Sequence, residues 1–402
     1  LLGVAGALIP FLALWLFYFC RRIGAMPGDA SAPWDPAYYG GIGLLVLAAG
    51  ILGAVALFVL NINLTAPHRI YRDRLARTFI HTSRRDRTPV ALHTVNPTGT
   101  APYHLINTTL NLPSSELPSL RDRKCAFFLF SKHWIGAATT GYHPTEQWKT
   151  NGEPVDLATA MATSGAAASS YMGLASMPTL TALLTFLNVR LGLWIRQPDQ
   201  ACAFAAPGFT CLLREMLGVG MDETSRWLNL SDGGHIENLA VYELLRRRCK
   251  FIVCVDGEAD PAFQFQGLLT LVRHAQIDYG IEISPNLSEL RPNPPTGLSS
   301  AHSMLCRIKY PESDVVGLLL YLKLSVTGNE SELISRYRAL HPDFPHQSTA
   351  DQFFDEEQFE AYRQLGVHVA ESMCSRALTN GATRPTSIAA WFRQLAGNLL
   401  MP

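Results

Sequence analysis

The stretch Leu228–Leu239, LNLSDGGHIENL, sets one carboxylate, Asp232, between a short apolar run and a pair of glycines. A carboxylate in that position can do two kinds of work. It can cap the segment that follows, because Asp accepts the free N–H groups at a helix start and Asp-Gly is a common turn pair. Alternatively it can serve as a general base, taking a proton from a nucleophile held beside it. In open parallel sheets, ligand and catalytic groups gather beyond the carboxyl ends of the strands, and Asp232 directly follows the strand-like RWLNL. Gly233 and Gly234 permit positive φ and a close approach of backbone to substrate, and a helix after them would aim its N-terminal dipole at the same place. On spacing alone, the cap is favoured over the base.

The other residues with chemical potential read more plainly. His235 lies three residues beyond Asp232, where a local structural or substrate-contact role is expected. His81, His104 and His346 show no spacing of the H-E-x-x-H kind, so no metal site is expected. Asp256, Glu258 and Asp260 alternate, but the Gly and distant Glu of a calcium loop are missing, and a solvated loop after a strand is expected. Arg246, Arg247, Arg248 and Lys250 end a helical segment, where positive charge favours the helix C-terminus. The 8 cysteines form no C-x-x-C pair and several sit in apolar runs, as buried small hydrophobes in a reducing compartment do.

These residues need elements to hold them. CAFFLF (Cys125–Phe130) has the texture of a buried strand, Asp156 caps a helix that opens at Leu157, and LTALLTFLNVRLGLWI (Leu180–Ile195) is apolar and helix-like. RWLNL reads as a strand, Glu237–Cys249 as a helix, and KFIVCVDG as a second, wholly apolar strand. That order implies a parallel pair buried on both faces. Ser284–Ser300 is rich in Pro and Ser and reads as a loop, while His341–Gly366 joins a Pro-rich turn to an acidic, aromatic helix.

The chain has 402 residues, enough for two or three units and a sizeable core. Its 33 basic and 33 acidic residues leave no basic excess for a nucleic-acid partner. The apolar content is concentrated in Leu1–Cys20 and Gly41–Leu60, two uncharged runs each long enough to cross a bilayer as a helix. Seven arginines, Arg69, Arg72, Arg74, Arg77, Arg84, Arg85 and Arg87, follow the second run, whereas Asp29 and Asp35 offset Arg21 and Arg22 between the runs. The positive-inside tendency then puts the large C-terminal part in the cytoplasm, with the arginines near anionic headgroups. Residue 1 is Leu with no polar flank ahead of it, which reads as part of a longer protein. Two divisions follow: residues 1–62 as two transmembrane helices with a linker, and 63–402 as the C-terminal part of a catalytic domain.

Three stretches in order, LATAMATSGAAASSYMG (Leu157–Gly173), LSDGGHIENLAVYELLRRRC (Leu230–Cys249) and KFIVCVDGEADP (Lys250–Pro261), resemble the patatin-like family of lipid acyl hydrolases, related to the cytosolic phospholipase A catalytic domain. RIYRDRLARTF (Arg69–Phe79), HLINTTLN (His104–Asn111) and the segment Phe344–Gly366 are similar to a bacterial, membrane-spanning branch. The resemblance implies an α/β, three-layer fold with a mainly parallel sheet, present here in part. It also implies a Ser-Asp dyad in which Asp232 is the catalytic base and Gly233 and Gly234 line the substrate. The chain lacks the family's G-x-S-x-G elbow; Ala162–Ala166 around Ser164 comes nearest, with alanines in place of the glycines and a helical context. The nucleophile is therefore expected upstream of Leu1. The expected function is cofactor-free hydrolysis of a phospholipid or other acyl-ester lipid at the membrane, for which a bacterial inner membrane is the expected location. The alternative is a catalytically inactive, membrane-bound scaffold or lipid-binding protein of the same fold.

Overall fold

The computed structural model describes residues 61–80, 89–96, 98–120, 122–169, 188, 190–200, 206–348, 351, 354–375 and 385–400, with a few residues of the first sixty. The two apolar runs expected to span a bilayer lie almost wholly outside the described residues. Among the described residues, no helix is long and apolar enough to cross a membrane. The chain divides into two compact units, Leu1–Ile236 and Glu237–Pro402.

The N-terminal unit is built on six strands: β1 (Leu105–Asn111), β2 (Cys125–Ser131), β3 (Trp134–Ala137), β4 (Gly141–Pro144), β5 (Leu193–Arg196) and β6 (Trp227–Asp232). Their order is β4-β3-β2-β1-β6-β5, and every pairing is antiparallel. Leu110, Phe128, Phe130, Trp148, Ile195 and Leu230 share one buried core, and removing a side chain such as Leu230 from water contributes about 1.5–3 kcal/mol. Helix α1 (His68–Phe79) precedes β1, and α2 (Leu157–Ser164) begins where Asp156 accepts the Thr159 N–H at 2.6 Å, as its capping pattern requires.

Leu193–Arg196, the end of the run expected to be helical, is strand β5; Leu180–Phe186 lies outside the described residues. The tertiary sheet wins here, because Leu193, Trp194 and Ile195 pair with β6 and bury their side chains. The Arg72 guanidinium pairs with Asp73 at 2.6 Å and with Asp156, and donates to Thr159 Oγ1 at 3.0 Å. It is a tie between α1 and the start of α2.

The C-terminal unit opens with Glu237, whose carboxylate accepts the N–H groups of Leu239, Val241 and Tyr242. Those donors, and the left-handed backbone of Ala240, delay helix formation, so the helix expected over Glu237–Cys249 is confined to α3 (Tyr242–Arg246). Arg246 and Arg247 both fold back onto Glu243 rather than projecting as a free basic patch. Four strands follow in the order β8-β9-β10-β7, where β7 is Phe251–Asp256, β8 Glu282–Ile283, β9 Ser303–Lys309 and β10 Val316–Lys323. Only β10 and β7 run parallel. Helices α4 (Gln266–Tyr279), α5 (Glu332–Leu340), α6 (Glu356–Ser372, capped by Asp355) and α7 (Ile388–Leu399) complete the unit. Side chains of α5, α6 and α7 form an apolar core with Leu305, Leu320 and Leu322.

The mainly parallel sheet is therefore corrected. β6 is paired on both edges, by β1 and β5, so no edge remains for β7, and β7 sits in the other sheet beside β10. Nor is β7 buried on both faces: Ile252 and Cys254 are buried, while Val253 and Val255 are exposed.

Asp256 is not in a solvated loop either. It is the last residue of β7, fully buried, and its register partner is Lys323. Lys323 Nζ lies 3.1 Å from Asp256 Oδ1 and donates to the Glu258 carbonyl at 3.0 Å, while Tyr321 donates to the other carboxylate oxygen. Replacing one member of such a pair strands the other charge in the interior. Lys323→Met should lower the unfolding free energy by about 3–5 kcal/mol, measured by denaturant unfolding of the whole chain followed through tryptophan fluorescence.

Candidate active site

The register of β1 against β6 pairs Thr108 with Asp232 and so sets where the candidate base lies. Asp232 ends β6, and the chain turns at once through a single 3-10 turn, Gly233–His235. Asp232 Oδ1 accepts the Gly234 N–H at 2.7 Å, so the capping role expected from the sequence is present. Three features expected there are different. Neither Gly233 nor Gly234 has positive φ, no α-helix follows directly, and no multi-turn dipole points at the carboxylate. The reason for glycine at 233 is close approach: a Cβ there would stand 2.7 Å from the Asn107 carbonyl oxygen. Gly234 contributes its N–H.

The same Asn107 carbonyl accepts the Ser164 hydroxyl at 2.8 Å. Ser164 closes α2, so it sits on a helix end and not on a strand-to-helix elbow, and its one proton is directed to backbone. From α1, Tyr71 donates to the Gly165 carbonyl at 3.1 Å. Burial raises the Tyr71 phenol pKa, and the negative charge of Asp232 raises it further, which puts the two within electrostatic reach.

His235 forms a separate chain of hydrogen bonds. Its Nε2 faces the Ala167 carbonyl at 3.2 Å, which can only accept, so Nε2 carries the proton. Nδ1 then accepts from Ser231 Oγ at 2.9 Å, and Ser231 Oγ accepts from Asn111 Nδ2 at 3.0 Å. Burial pulls the His235 pKa down to about 4 against the opposing pull of the Ala167 carbonyl, so the ring is neutral. A Ser-His contact can activate a nucleophile, but Ser231 is 0% exposed and its hydroxyl cannot reach an ester in solvent or lipid. This pair ties the end of β6 to the segment after α2, matching the local structural role expected for His235.

Among the described residues, Asp232 differs electrostatically from the two buried acids of this unit, Asp156 and Glu215. Asp156 faces Arg72, and Glu215 faces Arg190 at 3.6 Å and the Trp194 indole N–H at 2.7 Å. Among the described residues no cation pairs with Asp232. Burial pushes its carboxyl up to about 6, offset only in part by the Gly234 hydrogen bond. A cleft of about 580 Å³ in this unit is lined by Arg72, Asp156 and Thr159, not by Asp232. Arg72, Asp156 and Thr159 are already paired with one another, so they have the weaker chemical claim.

Tyr71, Asn107 and Ser231 were not singled out by sequence reasoning. Strand alternation puts Ser231 on the face opposite Asp232, a signal present in the sequence; nothing local connects Tyr71 or Asn107 to Asp232.

The fold and site define a two-unit α/β protein with an antiparallel N-terminal sheet in which a strand ends in a carboxylate that pairs with no cation among the described residues. No family model matches the chain, and no curated protein matches it. Among solved structures it is similar to human GIVD cytosolic phospholipase A2, with a TM-score of 0.46 and 14% identity. The match covers 82% of this chain and 51% of that one, so the chain spans about half the length of that structure.

Two outcomes test this geometry. Gly233→Ala forces a Cβ onto a backbone oxygen and should cost about 1–3 kcal/mol, read from the melting temperature. Asp232 has a folded pKa above its ordinary value, so folding favours its protonated form and its ionised form is a burden on stability at neutral pH. Asp232→Asn should therefore melt higher than wild type at pH 8, and the difference should vanish as pH falls through about 6 and below.

Proposed function

We propose that this chain belongs to a membrane-anchored lipid acyl hydrolase in which Asp232 is the general base of a Ser-Asp dyad. The observation that carries the reading is Asp232 itself: a carboxylate at a strand end, held by one backbone N–H, with no cation paired to it among the described residues, and with its pKa pushed up to about 6 by burial. A general base works best with a pKa near the operating pH, where it is both ionised and basic enough to accept a proton. The Asp-Gly-Gly resemblance supports the same assignment.

The chemistry needs no cofactor. Asp232 accepts the proton of a serine hydroxyl as that oxygen attacks the acyl carbonyl. The proton then passes to the leaving alcohol or lysolipid as the acyl-serine forms, and water, deprotonated by the same carboxylate, releases the fatty acid. Gly233 and Gly234 keep the turn thin where the substrate approaches. The nucleophile is proposed to be a serine supplied from upstream of Leu1, because Ser231 is buried and Ser164 donates to Asn107. The two uncharged N-terminal runs support anchoring in a bilayer with the catalytic part on the cytoplasmic side, and a phospholipid or related acyl ester as substrate.

A second reading, an inactive membrane scaffold, is favoured by one observation: among the described residues no serine hydroxyl donates to Asp232. Hydrolysis of phospholipid vesicles by the full-length protein separates the two. Asp232→Asn should lower kcat/KM by about 10²-fold or more, and wild-type activity should rise with pH through about 6, as Asp232 ionises. Activity of the variant within a few fold of wild type would remove Asp232 as base. Failure of the folded wild type to hydrolyse vesicles or react with a fluorophosphonate would favour the scaffold, and labelling abolished by Ser164→Ala would move the nucleophile to Ser164.

A further inference from the structure

We propose that the C-terminal unit binds a divalent transition-metal ion of the zinc type through His302, Glu330 and His368. This site is independent of Asp232 and of the hydrolase reading.

A ring nitrogen of each histidine and a carboxylate oxygen of Glu330 lie within 4.8 Å of one another. They come from three places in the fold. His302 stands just before β9, Glu330 lies in the loop between β10 and α5, and His368 is on α6. Two imidazoles and a carboxylate, with a water as fourth ligand, are a donor set suited to zinc.

The proton arrangement prepares these groups to ligate. Ser325 Oγ lies 3.4 Å from two carbonyls, of Ala301 and Lys323, which can only accept, so the Ser325 hydroxyl spends its proton there. With its proton so placed, Ser325 Oγ accepts from His302 Nδ1, 3.0 Å away, and in that tautomer Nε2 presents its lone pair. An outer hydrogen bond of this kind is what orients a ligating histidine.

His302 Nε2 faces Glu330 Oε1 at 3.8 Å, and the two side chains are only 5% and 1% exposed. The Glu330 carboxylate is fixed in place by the N–H groups of Thr327 at 2.6 Å and Gly328 at 2.8 Å. The Thr327 hydroxyl is 3.1 Å from Nε2, yet its shorter contact, 2.8 Å, is to Asn329 Oδ1. The same hydroxyl lies 3.2 Å from Glu330 Oε1, and its one proton can serve only one of these three acceptors. A cation between the Nε2 lone pair and the carboxylate would serve both.

His368 completes the set from the helix, with its ring edge-to-face against His302 at a centroid distance of 5.3 Å. Its Nε2 lies 3.0 Å from Asn329 Oδ1, and whichever nitrogen ligates, the other keeps a proton to donate. Zinc–nitrogen bonds of about 2.0–2.1 Å put tetrahedral ligand atoms about 3.4 Å apart. The His302–Glu330 separation is already near that value, so rotation of the half-buried His368 side chain supplies most of the closure. The bound ion would clasp the loop, the start of β9 and α6 together.

The test uses the full-length chain in detergent, stripped with EDTA and titrated with Co²⁺ or Zn²⁺ alone. One equivalent of Co²⁺ should give the visible d–d band of a tetrahedral site, displaced by Zn²⁺, and Zn²⁺ should raise the melting temperature. His368→Ala should lose the band and weaken zinc binding by about tenfold or more, with its metal-free melting temperature within a few degrees of wild type. X-ray absorption of zinc-loaded wild type, which needs no variant, should show imidazole and oxygen ligands. Absence of the band at one equivalent, an unchanged band in His368→Ala, or sulfur ligation, which would put the ion on cysteines such as the exposed Cys374, would each overturn the proposal.

Discussion

The pairing of Thr108 with Asp232 carries the N-terminal unit's chemistry. β1 is the strand on which the sheet turns from the β2–β4 meander to the β6–β5 pair, and its antiparallel register decides which residue of β6 comes last. Because side chains alternate along a strand, a slip by one residue would send Ser231 outward and Asp232 into the core. The register also brings the Asn107 carbonyl under Gly233, where any Cβ would collide, and in reach of the Ser164 hydroxyl. One ladder thus sets the direction of the carboxylate, the thinness of the turn and the engagement of the nearest serine.

Around that ladder, charge is handled in two ways. Most buried charges are neutralised by partners that the fold brings close: Arg190 with Glu215, Arg72 with Asp156, and in the other unit Lys323 with Asp256. Such pairs hold elements together and leave no reactivity. Asp232 and the His302–Glu330 contact break the pattern: among the described residues the first pairs with no cation, and the second sets a ring nitrogen 3.8 Å from a carboxylate oxygen. A carboxylate or imidazole left electrostatically incomplete inside a fold costs stability, and that cost is tolerated where the group has work to do.

The sequence reading succeeded where the signal was local. The β2, β6 and β7 strands, the Asp156 cap and an acidic helix within His341–Gly366 follow from apolar runs and capping residues a few positions apart. It failed where neighbours in space are distant in sequence. The strand-helix-strand order from Trp227 to Asp256 suggested a parallel pair, but the edges of β6 were already taken by strands beginning 122 residues earlier, at Leu105, and 34 residues earlier, at Leu193.

By itself the sequence determined that a carboxylate would stand at the end of a strand before two glycines, and that two uncharged apolar runs lie within the first sixty residues. Only the tertiary structure decided that the sheet is antiparallel, that Asp256 is a buried ion-pair partner, and that His302, Glu330 and His368 converge. The physical reason is the range of the forces. Capping and hydrophobic periodicity act within a few residues, whereas strand pairing and the burial that shifts the Asp232 pKa depend on surfaces assembled from the whole chain.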